Sequence, residues 1–166
     1  FDQEKPTLNF ETLDLNAWLR SNMESWEIKG INKSFTLTAN QLHHVSTLDR
    51  YYMNRVISNL TRNALKYSDT KVCVSSGSNE HENFVIVEDD GPGIDVSDRK
   101  TVFDAFVRLD KSRSRDTGGT GLGLAIVKQI MIWHNGSVIV SDSNLGGAKL
   151  TVSWPNSSTK KGKNNE

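Results

Sequence analysis

The strongest constraint on the fold is an ordered set of three motifs, each at the edge of a different element. Residues 49–67 place Met53, Val56, Ile57, Leu60, Ala64 and Tyr67 on one helical stripe. Asn59, Asn63 and Lys66 share an adjoining face of that helix, about 100° round from the centre of the stripe. The apolar run Phe84-Val85-Ile86-Val87-Glu88 reads as a buried strand that leads directly into Asp89-Asp90-Gly91-Pro92-Gly93. Gly119-Thr120-Gly121-Leu122-Gly123 then opens a helix that is apolar at helical spacing over residues 122–133. Helices and strands alternate through this order, so an α/β domain is expected.

The remaining segments fill in the elements. Residues 1–11 read as the end of an upstream element and a linker. Leu15, Trp18, Leu19, Met23 and Trp26 then mark a helix capped by Asp14. Gly30-Ile31-Asn32 breaks it, residues 34–38 alternate as a strand, and Asp49 caps the asparagine helix. Val72 and Val74 pair with residues 84–88 in a hairpin turned by the polar stretch 75–83. Residues 98–106 read as a short helix. Residues 107–119 are almost devoid of apolar side chains and crowd Arg108, Lys111, Arg113 and Arg115 together, the composition of a mobile lid. Asn135-Gly136 stops the last helix in a left-handed turn, and residues 138–140 and 149–152 form a hairpin across 144–147. The domain is expected over residues 8–155, after a linker at 1–7 and before a polar, disordered tail at 156–166.

Composition excludes several classes. Lys plus Arg and Asp plus Glu both number 20 among 166 residues, so no charge excess argues for nucleic acid or for disorder. One cysteine, Cys73, cannot form an internal disulfide and fits a small buried side chain in a reducing compartment. No apolar run approaches the length of a membrane span, so a soluble fragment, cut from something longer, is expected.

The motifs carry the chemistry. An amide oxygen on the asparagine face can ligate Mg²⁺, which keeps water and substrate phosphates in its shell and so needs few protein ligands. A lysine on that face brings charge to a triphosphate. The Asp89 carboxylate only accepts hydrogen bonds, which matches the exocyclic amine of adenine and opposes the carbonyl that guanine has there. Gly91 and Gly93 let backbone approach a flat ring, and Pro92 stiffens the bend. The 119–123 loop could present backbone N–H groups to phosphate at a helix start. No Gly-Lys-Ser/Thr follows it and the dinucleotide spacing fails, which excludes the two commonest phosphate loops. Taken singly, a solvated helix face, a hairpin turn and a flexible loop explain these motifs as well; taken as a set they do not.

In that order the residues resemble the catalytic, ATP-binding domain of bacterial sensor histidine kinases, within the wider group of gyrase B, Hsp90 and MutL. Asn59-Leu60-Thr61-Arg62-Asn63-Ala64-Leu65-Lys66-Tyr67-Ser68 is similar to the N box, and Asp89-Asp90-Gly91-Pro92-Gly93-Ile94 to the G1 box. Phe103-Asp104-Ala105-Phe106-Val107-Arg108 is similar to the F box, and Gly119-Thr120-Gly121-Leu122-Gly123-Leu124 to the G2 box. The resemblance runs over residues 8–155 and is nearest the OmpR-coupled proteobacterial sensors, the RstB-like ones among them. It implies a two-layer α/β sandwich, the Bergerat or GHKL fold, with helices on one face of a mixed, largely antiparallel sheet. It implies Mg²⁺ on Asn63 and ATP between the asparagine helix and the lid. Asn59, Lys66 and Arg108 would act at the phosphates, with Asn63, as the catalytic set. Tyr67 would flank the adenine bound by Asp89. Gly91, Gly93, Ile94, Arg113, Arg115, Gly119, Thr120, Gly121, Leu122, Gly123 and Leu124 would complete the nucleotide site.

The same resemblance implies transfer of the γ-phosphoryl group to a histidine on an upstream dimerisation domain, then to the aspartate of a cognate response regulator. The full-length protein would be a homodimeric inner-membrane sensor, with this domain on the cytoplasmic side and no nucleic-acid partner. Gyrase-like ATPases carry a glutamate where this chain has Asn59, and an amide cannot serve as that general base, which favours transfer over hydrolysis. None of His43, His44, His81 and His134 has the phosphoacceptor context of a following acid and proline. A stand-alone ATPase and a degenerate nucleotide-gated interaction module are the competing readings. Asn59 weighs against the first, and the intact Asn63, Asp89 and loop glycines against the second.

Overall fold

The computed structural model describes residues 4–27, 32–39, 44–107 and 121–156, and the side chains of all these except 25–27. The expected lid beyond Val107, with Arg108, Arg113, Arg115, Gly119 and Thr120, lies outside the described residues, as do the tail beyond Asn156 and the break at Gly30-Ile31.

Among the described residues the domain has seven strands and three α-helices: β1 (Phe10–Asp14), α1 (Leu15–Glu27), β2 (Ser34–Ala39), β3 (Val45–Asp49), α2 (Arg50–Tyr67), β4 (Lys71–Ser78), β5 (Glu82–Asp89), α3 (Gly123–Trp133), β6 (Ser137–Asp142) and β7 (Ala148–Pro155). The main sheet has the order β2-β4-β5-β7-β6. β2 runs parallel to β4 and every other pairing is antiparallel, so the mixed, largely antiparallel sheet is as expected. Alternation decides which face is covered. Val72, Val74, Val85, Val87, Leu150 and Val152 are buried with Met53, Val56, Ile57 and Leu60 of α2 and Val127, Ile130 and Met131 of α3 in one core. Each of these side chains contributes about 1.5–3 kcal/mol by leaving water.

Short-range chemistry fixes the helix starts. Asp14 Oδ1 accepts from the N–H groups of Asn16 and Ala17, both at 3.0 Å, and Asp49 Oδ1 accepts from Tyr52 N–H at 3.1 Å. Each aspartate thus satisfies donors that the first turn leaves without partners. Asp49 also accepts from Asn9 N–H through Oδ2 at 2.7 Å. Its own N–H donates to His134 Nε2 at 3.2 Å. Since Nε2 accepts, Nδ1 carries the proton and donates to the Ile130 carbonyl at 2.9 Å. His134 is therefore a neutral, buried bracket between the end of α3 and the start of α2, and burial pushes its pKa below the ordinary value. Asn135 follows at φ 55°, the left-handed turn expected to end the helix.

Four expectations need correction. Phe10 and Glu11 belong to β1 and not to a linker; β1 pairs antiparallel with β3 in a separate two-stranded sheet, Phe10 opposite Asp49. β3 itself was not expected. Its partner is some 35 residues away in sequence (Thr12 faces Thr47), so neither short strand has a local turn to announce it. The stretch 75–83 is mostly strand: β4 runs to Ser78 and β5 starts at Glu82, leaving a tight turn in which Asn79 Oδ1 accepts from the N–H groups of His81 and Glu82. Its polar residues are accommodated because Ser76 donates to Asn16 and Phe84 lies over Gly77. Residues 98–106 form no α-helix but part of two single 3₁₀ turns, Val96–Asp98 and Thr101–Phe103, followed by an irregular turn. Asp104 takes an extended backbone at ψ 142°, which stops the second turn from propagating.

Candidate nucleotide site

Three of the sequence motifs meet at one end of the sheet. β5 pairs Val72 with Asp89, so Asp89 is the last ladder residue and its carboxyl leaves the strand buried at 2 % exposure. Oδ1 accepts from Gly91 N–H at 2.9 Å and Ala148 N–H at 3.3 Å. Among the described residues Oδ2 takes no bond, which leaves one carboxylate oxygen to accept from a ligand. Burial pushes the Asp89 pKa above its ordinary value, against the lowering effect of the two backbone donors and with a smaller push from Asp90 and Asp69. A group held this way ionises at a cost that a hydrogen-bond donor from a ligand would offset.

Its neighbour has a different task. Asp90 Oδ1 accepts from the N–H groups of Asp69, Thr70 and Lys71 at 2.9, 3.0 and 3.0 Å, and Oδ2 from the Thr70 hydroxyl at 2.6 Å. The hydrogen bonds from Thr70 and Lys71 hold its carboxyl far below the usual range. Asp90 therefore staples the turn after α2 to the end of β5, and the adjacent aspartates divide into an anchor and an open acceptor.

Glycine is required where these backbones cross. A Cβ on Gly91 would overlap the Tyr67 carbonyl, and one on Gly147 would overlap Asp89 Oδ1 and stand 2.6 Å from Gly91 N. Gly147 also donates its N–H to the Asp89 carbonyl at 3.1 Å. The turn between β6 and β7 is thus part of the site, supplying Gly147 and Ala148. Read locally, 144–147 is only a hairpin turn; the signal for its part in the site is the Gly146-Gly147 pair, one glycine more than such a turn demands. Gly93, at φ 74°, lies 3.6 Å from Gly147 by the same measure, and Ile94 is half-buried on the core.

On α2, Asn59, Asn63 and Lys66 are half-buried on the border of the core, as the stripe predicts. Asn59 Nδ2 donates to the Arg55 carbonyl at 2.8 Å, and its Oδ1 sits 3.2 Å from where a Cβ on Gly123 would stand. The asparagine face is therefore set against the start of α3. Among the described residues no side chain caps that start: Leu122 makes no such hydrogen bond, and the first-turn N–H groups and the positive end of the helix dipole suit an anion. The Asn63 amide makes no hydrogen bond among the described residues, and Lys66 Nζ lies 5.1 Å from the centre of the Tyr67 ring. Tyr67, 36 % exposed, closes α2 beside Gly91.

The far rim joins the F and G2 boxes. Phe106 donates its N–H to the Gly121 carbonyl at 3.0 Å, and a Cβ on Gly121 would stand 2.9 Å from the Phe106 carbonyl carbon. Phe106 has φ 65° and is 69 % exposed, a strained and solvated position for an aromatic residue. Leu124 packs on the core from the first turn of α3.

Comparison with known proteins identifies the family. Residues 49–158 match the family described as histidine kinase-, DNA gyrase B- and HSP90-like ATPases. The sensor protein RstB of Escherichia coli K12 is 40 % identical over 154 residues, covering 93 % of this chain and 36 % of RstB. The sensor histidine kinase CpxA of the same organism is 35 % identical over 156 residues, covering 93 % of this chain and 34 % of CpxA. The chain thus spans about a third of the length of these relatives. Among solved structures, the mycobacterial sensor histidine kinase MprB is 27 % identical with a TM-score of 0.76, covering 88 % of this chain and 98 % of that one. Full-length ShkA, solved in complex with AMPPNP, shares the fold at a TM-score of 0.80 and 24 % identity, over 92 % of this chain and 32 % of that one. With its N, G1 and G2 residues gathered at one end of a sandwich of this topology, the chain belongs to the histidine kinase-, DNA gyrase B- and HSP90-like ATPase family, and its relatives are sensor histidine kinases.

Proposed function

We propose that residues 8–155 form the catalytic unit of a sensor histidine kinase, which binds ATP and passes its γ-phosphoryl group to a histidine on a separate dimerisation domain. The observation that carries this reading is the open Oδ2 of buried Asp89, next to a Gly91 that abuts Tyr67 at the end of α2, with the start of α3 set against Asn59 of the same helix. Adenine's amine would donate to Asp89 while Tyr67 flanks the ring, and Gly91 and Gly93 keep side chains out of the approach. The triphosphate would lie between α2 and the first turn of α3, with Gly121, Leu122 and Gly123 presenting backbone and Lys66 adding charge. Arg108, Arg113 and Arg115, with Gly119 and Thr120, would complete the phosphate side.

Mg²⁺ fits the donor set. No group of three or more His, Cys, Asp or Glu side chains among the described residues is arranged to hold a metal ion, and the Asn63 amide makes no hydrogen bond among them. An amide oxygen suffices for a cation that takes most of its shell from phosphates and water. When bound, it neutralises charge on the phosphates. Asn59 provides no base to activate water, so the residues present favour transfer to an acceptor.

The acceptor histidine would come from an upstream dimerisation domain, and a response-regulator aspartate would receive the group next. The full-length protein would be a homodimeric inner-membrane sensor of the OmpR-coupled kind, this unit cytoplasmic. No helix among the described residues is long and apolar enough to cross a membrane. Phosphoryl transfer rests on positioning and charge stabilisation, so Asn63→Ala should abolish transfer while leaving measurable ATP binding. Incubating the chain with a cognate histidine hairpin and labelled ATP tests this, with a hairpin lacking its histidine as control. Rapid multiple-turnover hydrolysis without the hairpin would instead identify a stand-alone ATPase.

A further inference from the structure

Away from the nucleotide site, a groove of about 460 Å³ runs along β6. One wall is formed by residues 137–140, four consecutive positions, so the groove follows the strand's backbone edge and not one face of it. The other wall carries Lys128 and Ile132 of α3 with Lys100 and Phe103. A second hollow of about 320 Å³ continues from Phe103, Lys128 and Ile132 along α3. Neither is lined by Asn59, Asn63 or Asp89.

Among the described residues β6 is the outermost strand of the main sheet and pairs with β7 alone. In an antiparallel ladder every second residue of such a strand turns its N–H and C=O outward, a template for another strand. Edges that must stay unpaired carry an exposed lysine, a proline or a bulge. Ser137-Val138-Ile139-Val140-Ser141 has none of these. The charge that follows, Asp142, is held by Arg99 at 2.6 Å. Ile139 and Ile132 are 58 % and 53 % exposed, so apolar surface borders the open edge from both sides. On the rim, Lys100 and Lys128 are exposed and in no ion pair among the described residues.

We propose that this edge docks an acidic, extended segment of a partner protein. The segment adds to the sheet beside β6; every second residue faces α3, the middle ones setting apolar side chains into the groove against Ile132 and Phe103 and the outer ones bringing carboxylates to Lys100 and Lys128. Charge selects this occupant. A second copy paired edge to edge would set the two copies' Lys100 and Lys128 along one seam. The chain's own stretch after Asn156 carries Lys160, Lys161 and Lys163 against a single Glu166, the wrong sign for this rim.

The probe is the acetylated, amidated heptapeptide Glu-Thr-Val-Thr-Val-Thr-Glu, whose odd positions share one strand face, titrated into the isotopically labelled chain. Saturable shifts of the amide signals of residues 137–142 and of Ile132 are expected, with slower hydrogen exchange at alternate β6 amides. Lys100→Glu with Lys128→Glu should weaken binding roughly tenfold, the scale of two reversed rim charges. The same peptide with Lys in place of Glu should show the opposite preference. ATP affinity of the double variant, expected unchanged, reports that it is folded. Absence of saturable shifts at β6, equal binding of the two peptides, or shifts centred elsewhere would overturn the proposal. Concentration-dependent pairing of the chain with itself through β6 would overturn it in favour of a second copy.

Discussion

At the scale of single residues, the adjacent aspartates show how position divides one chemistry into two roles. Asp90 is saturated by backbone and hydroxyl donors, while Asp89 keeps an oxygen open in a buried setting. A hydrogen bond to a charged group contributes about 1.5–3 kcal/mol, and each 1.4 kcal/mol is about tenfold in affinity. Asp89→Ala should therefore weaken ATP roughly ten- to a hundredfold by calorimetry on folded protein, and binding should not pass to GTP. The raised pKa gives this a pH signature. The folded protein takes up a proton at Asp89 before the unfolded chain does. Ionised Asp89 thus costs stability at neutral pH, and the cost is relieved as pH falls through the raised value towards 3.8. In the proposed pose adenine donates to the carboxylate, so ATP affinity should fall over the same descent in the wild type. In Asp89→Asn, compared point by point to cancel titration of the nucleotide itself, that component should be absent.

At the scale of elements, the site is built from ends: of β5, of α2, of the β6–β7 turn and of α3's first turn. Gly147→Ala forces a Cβ onto Asp89 and Gly91 backbone that cannot yield separately. Overpacking of this kind costs about 1–3 kcal/mol, and it also displaces the Asp89 oxygen. Denaturant unfolding should show a lower midpoint, and ATP titration a loss larger than Gly146→Ala produces, where a Cβ meets nothing within 4 Å and only φ 104° is strained. The sequence displayed the ends that lie on strongly periodic elements. Asn59 and Asn63 bordered a clear stripe, and Asp89 closed an unbroken apolar strand. What it did not display were contacts between segments far apart in the chain. Ala148 reaches Asp89 across 59 residues, and β1 meets β3 without a local turn. Residues 98–106 read as one helix because Val102, Phe103 and Phe106 stand at helical spacing, but the backbone leaves the helical region at Asp104 and turns left-handed at Phe106. Asp90 was grouped with Asp89 as part of one turn, since nothing local distinguishes an anchored carboxylate from an open one.

At the scale of the whole molecule, His134 ties the layers into a pH-dependent unit. Burial lowers its folded pKa, so the unfolded chain binds the proton first as pH falls. Its contribution is fully present above the ordinary value of about 6.5 and declines below it, down through the lowered folded value. Chemical denaturation should show wild-type stability dropping below pH 6.5 relative to His134→Gln, with the two curves parallel above it. The difference between variants separates this loss from the opposite trend of Asp89. The same bracket has a mechanical meaning. α2 and α3 are fastened near one end through Asp49 and His134 and near the other through the packing of Asn59 on Gly123. Two beams joined at two points can neither scissor nor slide, so the helix pair acts as a rigid jaw. A nucleotide bound between the two helices would meet a surface already set, and residual dipolar couplings of the α2 and α3 amides should fit one common helix–helix orientation with and without nucleotide.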